Sequence, residues 1–133
     1  MKSPDWIIHC VFDDSFTDKN TETVTPYLNS HTHGLNQIYN HLDFQIVLWL
    51  ETELIGYALN TMGNRVRNGE KFKDGDIITD LFEGLSVRLD EVEETDRRVL
   101  RIVIPDSNHK MPEDNECNPY FKGQLKKTDN LFK

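Results

Sequence analysis

Three histidines in the first third of the chain are the side chains best suited to chemistry. His31 and His33 are separated by one residue, and His41 follows in the next segment. Successive side chains of a β-strand alternate between its two faces, so an HxH pair on a strand directs both imidazoles to one side. Imidazole nitrogens bind borderline metals such as zinc. The spacing therefore predicts a divalent metal site at His31, His33 and His41, with Asp43 as a possible further ligand.

A purely structural role for these histidines is the alternative. His31 and His33 can hydrogen-bond within a polar sheet face, and His41 can cap a turn that follows residues 39–40. The HxH pattern also occurs easily by chance in a single sequence. A metal-binding histidine needs a partner on its second ring nitrogen to fix the tautomer, and the sequence does not show one. Both interpretations stay open at this point.

The two cysteines do not indicate thiol catalysis. Cys10 follows His9 on a predicted strand, where adjacent side chains face opposite ways and cannot bond to each other, so a buried structural thiol is expected. The acidic residues at 113–116 should raise the pKa of Cys117. Without a CxxC spacing, neither a disulfide framework nor a zinc knuckle is predicted, and a reducing cytoplasm fits best.

The remaining short motifs do not indicate a calcium site or a common catalytic site. Residues 106–110 begin like a calcium loop, but Lys110 and Met111 occupy its fifth and sixth positions, which excludes an EF-hand. Asp106 is expected to terminate a strand, with its carboxylate accepting hydrogen bonds from local backbone amides. The sequence contains no glycine-rich phosphate loop, GxSxG or HExxH motif.

Length and charge narrow the class of protein. The chain has 133 residues, which predicts a single domain over residues 1–125 and a frayed tail over residues 126–133. It carries 15 basic and 23 acidic residues, a formal net charge of −8, which disfavours nucleic-acid binding. No apolar run is long enough for a signal-peptide core or a membrane span, so a cytoplasmic location is expected.

Hydrophobic periodicity predicts an α+β fold: a mainly antiparallel sheet of about five strands packed on one principal helix, with an irregular C-terminal segment. The alternating or apolar runs favour extended structure over residues 6–12, 26–35, 42–50, 76–82, 85–90 and 99–104, and a polar loop over 13–23. The last two runs should form an antiparallel hairpin that ends at Pro105.

The principal helix is predicted over residues 52–68. Leu54, Ala58, Met62 and Val66 recur at i+4 spacing, and Gly69 provides a C-terminal stop. Inside the helix, Gly56 and Gly63 lie on one side together with Asn60 and Arg67. Each interior glycine costs roughly 1 kcal/mol relative to alanine, so something is expected to pack closely on that side.

Several short motifs occur in a familiar order. They are HTHGL at 31–35, HLDF at 41–44, VRNGEKF at 66–72, LRIVIPD at 100–106 and MPEDNEC at 111–117. In this order and spacing the chain resembles the bacterial domain of unknown function 4262 family over residues 25–125. The resemblance implies a bacterial cytoplasmic domain without an established activity, cofactor or partner, so it assigns no catalytic residue. His33 stands where many relatives carry an aliphatic residue.

Two functions from different classes follow. The first is a non-catalytic interaction module, in which the acidic domain docks against a basic protein partner. The second is a metal-dependent, hydrolase-like enzyme in which His31, His33 and His41 hold the ion and Asp106 or Asp43 activates water. A homodimer through an open sheet edge or through the glycine side of the helix is a further possibility.

Overall fold

The protein folds around one sheet with helices beside it. The structure is a computed structural model and describes residues 6–11, 27–94 and 97–125. The loop predicted over residues 13–23 and the tail predicted over residues 126–133 lie outside the described residues. The elements are β1 (Ile7–Val11), β2 (Tyr27–His33), α1 (Leu35–Tyr39), β3 (Asp43–Leu48), α2 (Thr52–Arg67), β4 (Ile77–Phe82), β5 (Leu85–Glu94), β6 (Arg97–Val103), α3 (Pro119–Lys122) and a short 3₁₀ turn (Gly123–Leu125).

The sheet has six strands in the order β1-β2-β3-β6-β5-β4. The predicted hairpin is confirmed, since β5 and β6 pair antiparallel over most of their length. The prediction of a mainly antiparallel sheet of about five strands is corrected, because the sheet is mixed and β3 runs parallel to β6 at its centre. A parallel pair needs a long crossover, and here α2, β4 and β5 supply it.

The long helix α2 covers one face of the sheet and builds the core. Its buried side chains pack against the apolar side of β3 and β6, where Phe44 lies beside Leu100. The helix ends at Arg67 with Asn68 as its C-cap, one residue from the predicted end, and Gly69 takes a positive φ of 102° that an L-residue rarely adopts. Leu54, predicted for the buried stripe, is 39% exposed, and Ile55 and Leu59 lie in the core instead. No helix in the described ranges is both long and apolar enough to cross a membrane.

The close packing predicted beside the helix glycines occurs at Gly63 and not at Gly56. The Trp6 ring lies against Gly63, where a Cβ atom would come within 2.6 Å of it. The Trp6 indole N–H donates to Asn60 Oδ1 at 3.0 Å, and the Arg67 guanidinium lies 5.3 Å from the ring centroid. Gly56 has no such neighbour within 4 Å among the residues that the structure describes. Because Gly63 has no side chain, the Trp6 ring can pack directly on α2, and this contact holds the start of β1 against the helix.

We predict opposite effects for alanine at the two helix glycines. Gly63→Ala should lower the free energy of unfolding by about 1–3 kcal/mol, because the new methyl group overlaps the Trp6 ring. Gly56→Ala should raise it by about 0.5–1 kcal/mol, because alanine favours the helix and meets open space. Urea denaturation of both variants measures the difference, and equal effects would contradict this account of Gly63.

Candidate metal centre

The face of the sheet opposite α2 carries polar side chains at its middle. Strand register places Gln45 of β3 beside His31 of β2, and His31 in turn beside His9 of β1. On the other side of Gln45, the parallel pairing brings in Arg101 of β6. Residues directly opposite each other on neighbouring strands point to the same face. Four neighbouring strands thus contribute polar groups to one patch.

Three histidines converge on this patch. His9 lies directly opposite His31, and His33 lies two residues further along β2 on the same face. One ring nitrogen from each of His9, His31 and His33 lies within 4.8 Å of the others. His31 is buried, His33 is half-buried and His9 is exposed. We call these three residues the histidine triad.

The spacing within the triad suits metal coordination. The Nε2 atoms of His31 and His33 are 3.0 Å apart. Two imidazole nitrogens bound to a tetrahedral zinc ion at about 2.0–2.1 Å are about 3.3 Å apart. The His9 ring centroid lies 4.6 Å from that of His33 and 5.8 Å from that of His31. Small side-chain movements are enough to bring three nitrogens to one ion.

The second ring nitrogen of His31 has the partner that metal ligands require. His31 Nδ1 lies 2.8 Å from Asn29 Oδ1 and 3.4 Å from Glu94 Oε2. These oxygens can only accept, so Nδ1 carries the proton and the lone pair of Nε2 faces His33. A carboxylate or amide behind a histidine fixes its tautomer and orients the ring toward a metal. The partner that the sequence could not show is therefore present.

Burial favours the neutral form of His31 and His33. The pKa of His31 is lowered to about 4, mainly by burial, against the opposing effect of Glu94 and with smaller lowering effects of His33, Arg97 and His9. The pKa of His33 is also lowered, mainly by burial and then by the charge of Arg97 and by His9. Neutral imidazole is the form that binds metals, so neither ring has to lose a positive charge near neutral pH. The proton that His33 Nε2 donates to His31 Nε2 has to move to Nδ1 of His33 before both Nε2 atoms can bind one ion.

A buried polar network extends from His31 into the sheet. The Gln45 amide donates to Asn29 Oδ1 at 3.0 Å and to Glu94 Oε2 at 2.9 Å. Gln45 Oε1 accepts from Arg101 Nε at 2.7 Å, and Arg101 also donates to the backbone oxygen of Gln124 at 2.8 Å. Hydrogen-bond partners on both sides leave Gln45 little rotational freedom. The network therefore holds Asn29 and Glu94 behind His31.

Arg97 joins the two buried carboxylates beside the triad. It donates to Glu94 Oε1 at 3.0 Å and to Asp43 Oδ2 at 3.2 Å. Asp43 Oδ1 accepts from the Thr32 hydroxyl at 2.7 Å and from the Leu35 amide at 3.1 Å. Asp43, predicted as a further ligand or as a base, thus uses its oxygens to fix the end of β2 and the start of α1.

His41 lies apart from the triad. Its Nε2 accepts from the Phe72 backbone amide at 2.9 Å, so Nδ1 carries the proton and donates to the Leu42 carbonyl at 2.8 Å. Both ring nitrogens are occupied, which leaves no lone pair for an ion. The structure therefore brings together His31 and His33 of the predicted set, adds His9, and gives His41 a structural role in which it links its own segment to Phe72.

Asp106 has the structural role predicted for it, and the pKa of Cys117 is raised as predicted, although burial is the largest cause. The Asp106 carboxylate accepts from the backbone amides of Asn108, Lys110 and Asn118, which lower its pKa. Burial, followed by the nearby charge of Asp106, raises the pKa of the Cys117 thiol, which makes it a poor nucleophile. The thiol of Cys10 lies outside the described side chains.

Sequence reasoning missed His9 and Glu94. The sequence analysis considers His9 only beside Cys10. The alternation of side chains along the predicted first strand already places the two residues on opposite faces of the sheet. Pairing β1 with β2 through odd-numbered residues would have placed His9 opposite the HxH pair. Glu94 lies outside the predicted extended run over residues 85–90, whereas in the structure it is the buried last residue of β5.

Neighbouring arginines of β6 provide a matched test of the network. Arg97→Met should lower the free energy of unfolding by about 3 kcal/mol, because two buried carboxylates lose their cation. Arg98→Met should change it by less than about 1 kcal/mol, because Arg98 pairs with the more exposed Glu91 and Glu93. Urea denaturation at neutral pH measures both. Similar losses at the two positions would contradict the role assigned to Arg97.

Comparison with known proteins places the chain in a family. Neither curated proteins nor solved structures gave a significant match. A family model described as "Domain of unknown function (DUF4262)" matches residues 5–118, a span that includes the triad, the sheet and α2. The resemblance found in the short motifs is thereby confirmed. The chain belongs to the DUF4262 family.

Proposed function

We propose that this protein is metal-dependent and that His9, His31 and His33 hold one divalent transition-metal ion. The observation that carries the proposal is the convergence of three ring nitrogens within 4.8 Å on one face of the sheet. An all-imidazole set favours zinc, copper, iron or nickel over magnesium or calcium, which prefer oxygen ligands. Zinc is the first ion to test.

The ligand count supports a reactive site over a structural one. Structural zinc sites are closed by four protein ligands, whereas catalytic sites use three and leave a position for water or substrate. The exposed His9 leaves one side of the triad open to solvent, while Asn29 and Glu94 support His31 from the buried side. This arrangement favours the metal-dependent, hydrolase-like function.

Such an ion would supply Lewis acidity and would lower the pKa of a bound water. The protein's own residues define the rest of the site. His31 offers Nε2 in a fixed orientation because its Nδ1 proton is held, and the buried carboxylate of Glu94 supports that proton. Asp43 and Asp106, predicted as bases, use their oxygens in the structural contacts described above, so neither is assigned to the reaction.

Metal analysis tests the proposal directly. Protein loaded with zinc and freed of excess should retain about one ion per chain, as a three-histidine site predicts. His31→Ala and His33→Ala should reduce retention to background. His109→Asn is the matched control, since His109 is exposed and its φ of 64° is one that asparagine tolerates.

The thermal melt provides an independent readout. Free zinc at 100 times its dissociation constant should stabilise the folded protein by about 2.7 kcal/mol, and chelation should remove the effect. The histidine variants should show no zinc-dependent shift, while His109→Asn should behave like the wild type. Failure to retain metal, or equal retention in the triad variants, would refute the assignment.

An interaction module is the second candidate function, and one surface favours it. A groove of about 470 Å³ between the β4-β5 turn, the end of β6 and α3 is lined by apolar side chains that include Leu50, Phe82, Leu85, Ile104 and Phe121. Leu54 at its wall is 39% exposed, and Tyr57 on the next turn is 52% exposed. Glu83 at the rim and the net charge of −8 favour an apolar partner segment that carries basic residues.

A designed amphipathic peptide of leucine and lysine probes this groove. We expect saturable binding that weakens at least about tenfold in Leu54→Asp, because the charge enters the apolar wall. Ile38→Asp is the matched control, with the same charge change at an exposed apolar residue of α1. Equal affinity of the two variants, measured by calorimetry, would remove the groove as a docking surface.

A further inference from the structure

A small cavity lies beside the histidine triad. Its volume is about 310 Å³, and its wall includes His33 together with Asp43, Arg97 and Arg98. His33 also belongs to the triad, so the cavity and the candidate metal centre share a side chain. A molecule in this cavity would sit next to an ion held by His33.

Two guanidinium groups make the wall suited to an anion. Arg97 and Arg98 line the cavity together with the Asp43 carboxylate. Both arginines are already ion-paired, Arg97 with two buried carboxylates and Arg98 with two more exposed ones. An anion therefore has to compete with these carboxylates, and a divalent ion on the triad would favour the anion by adding two positive charges beside the cavity.

The two arginines have different roles in the wall. Arg97 directs its donors to Glu94, Asp43 and the Thr32 carbonyl, so it provides a fixed charge. The side chain of Arg98 is 50% exposed and, among the described residues, pairs with Glu91 and Glu93, which are themselves partly exposed. Such surface pairs are weak and exchange readily. Arg98 can therefore turn to an incoming anion at little cost.

We propose that this cavity binds the oxyanion group of the substrate, a carboxylate or a phosphate, next to the metal held by the triad. The proposal rests on the metal-dependent function proposed above. Guanidinium groups bind both oxyanions through paired, charge-assisted hydrogen bonds. The exposed amide of Asn36 on the same wall adds a polar group beside Arg98. The substrate class is accordingly a small anionic molecule.

Cobalt(II) in place of zinc makes the test direct, because its visible spectrum reports both occupancy of the triad and changes in coordination. The cobalt-loaded full chain is titrated with inorganic phosphate and, separately, with acetate. We expect saturable spectral changes with at least one of them, and the stronger ligand identifies the oxyanion class. Arg98→Gln should raise the dissociation constant at least about tenfold. Asn36→Asp should also weaken binding, because it adds a negative charge to the wall.

Arg65→Gln is the matched control, since Arg65 is a similarly ion-paired arginine of α2 that does not line this cavity. It should bind the anion as the wild type does. Cobalt binding without any anion response would overturn the cavity assignment and leave the metal centre intact. An anion response of equal affinity in wild type, Arg98→Gln and Asn36→Asp would show coordination by cobalt alone and would likewise overturn it. No cobalt binding would refute the metal-dependent function itself.

Discussion

The burial of charge on one face of the sheet is the constraint on which the rest of the structure depends. Arg101 is fully buried, and burial lowers its pKa to about 10, while Asp90 and Glu94 oppose that change. Removing a guanidinium from water costs several kcal/mol unless its partners are well placed. Here the hydrogen-bond acceptors come from β3 and the C-terminal turn, and two carboxylates of β5 act on the guanidinium through their charge. Apolar side chains can still pack when one strand shifts against its neighbour, whereas this set of hydrogen bonds forms in one strand register.

This dependence on register explains why the sequence predicted the positions of the strands well and their arrangement in the sheet less well. Alternation in residues such as Phe44, Ile46 and Leu48 follows from the period of a strand, so it can be read locally. The direction of β6 against β3 depends on where α2, β4 and β5 carry the chain in space. No local pattern encodes that path. The short helix α1 was missed for a similar reason, because Asp43 fixes its first amide across the sheet.

Two of the three triad histidines could be predicted from the sequence, because their positions depend on local alternation alone. His31 and His33 share a strand, so their separation of two residues is sufficient to place both rings together. His9 enters through the register of a different strand, and His41 leaves because Phe72 and Leu42 occupy both of its nitrogens. Proximity along the chain favoured His41 over His9, which lies on a separate strand. Glu94 was hidden because a run of acidic residues resembles a solvated turn, although the end of that run is buried.

The position of His9 on β1 has a consequence for the behaviour of the protein in solution. Within the described residues β1 pairs with β2 alone, and it is anchored at its start by Trp6. Strands at a sheet edge open more readily than central ones. The triad exists only while β1 is paired with β2, so the apparent affinity for a bound ion would be reduced in proportion to the fraction of molecules in which β1 is detached. An ion that bridges His9 and His31 would in turn hold β1 against the rest of the sheet.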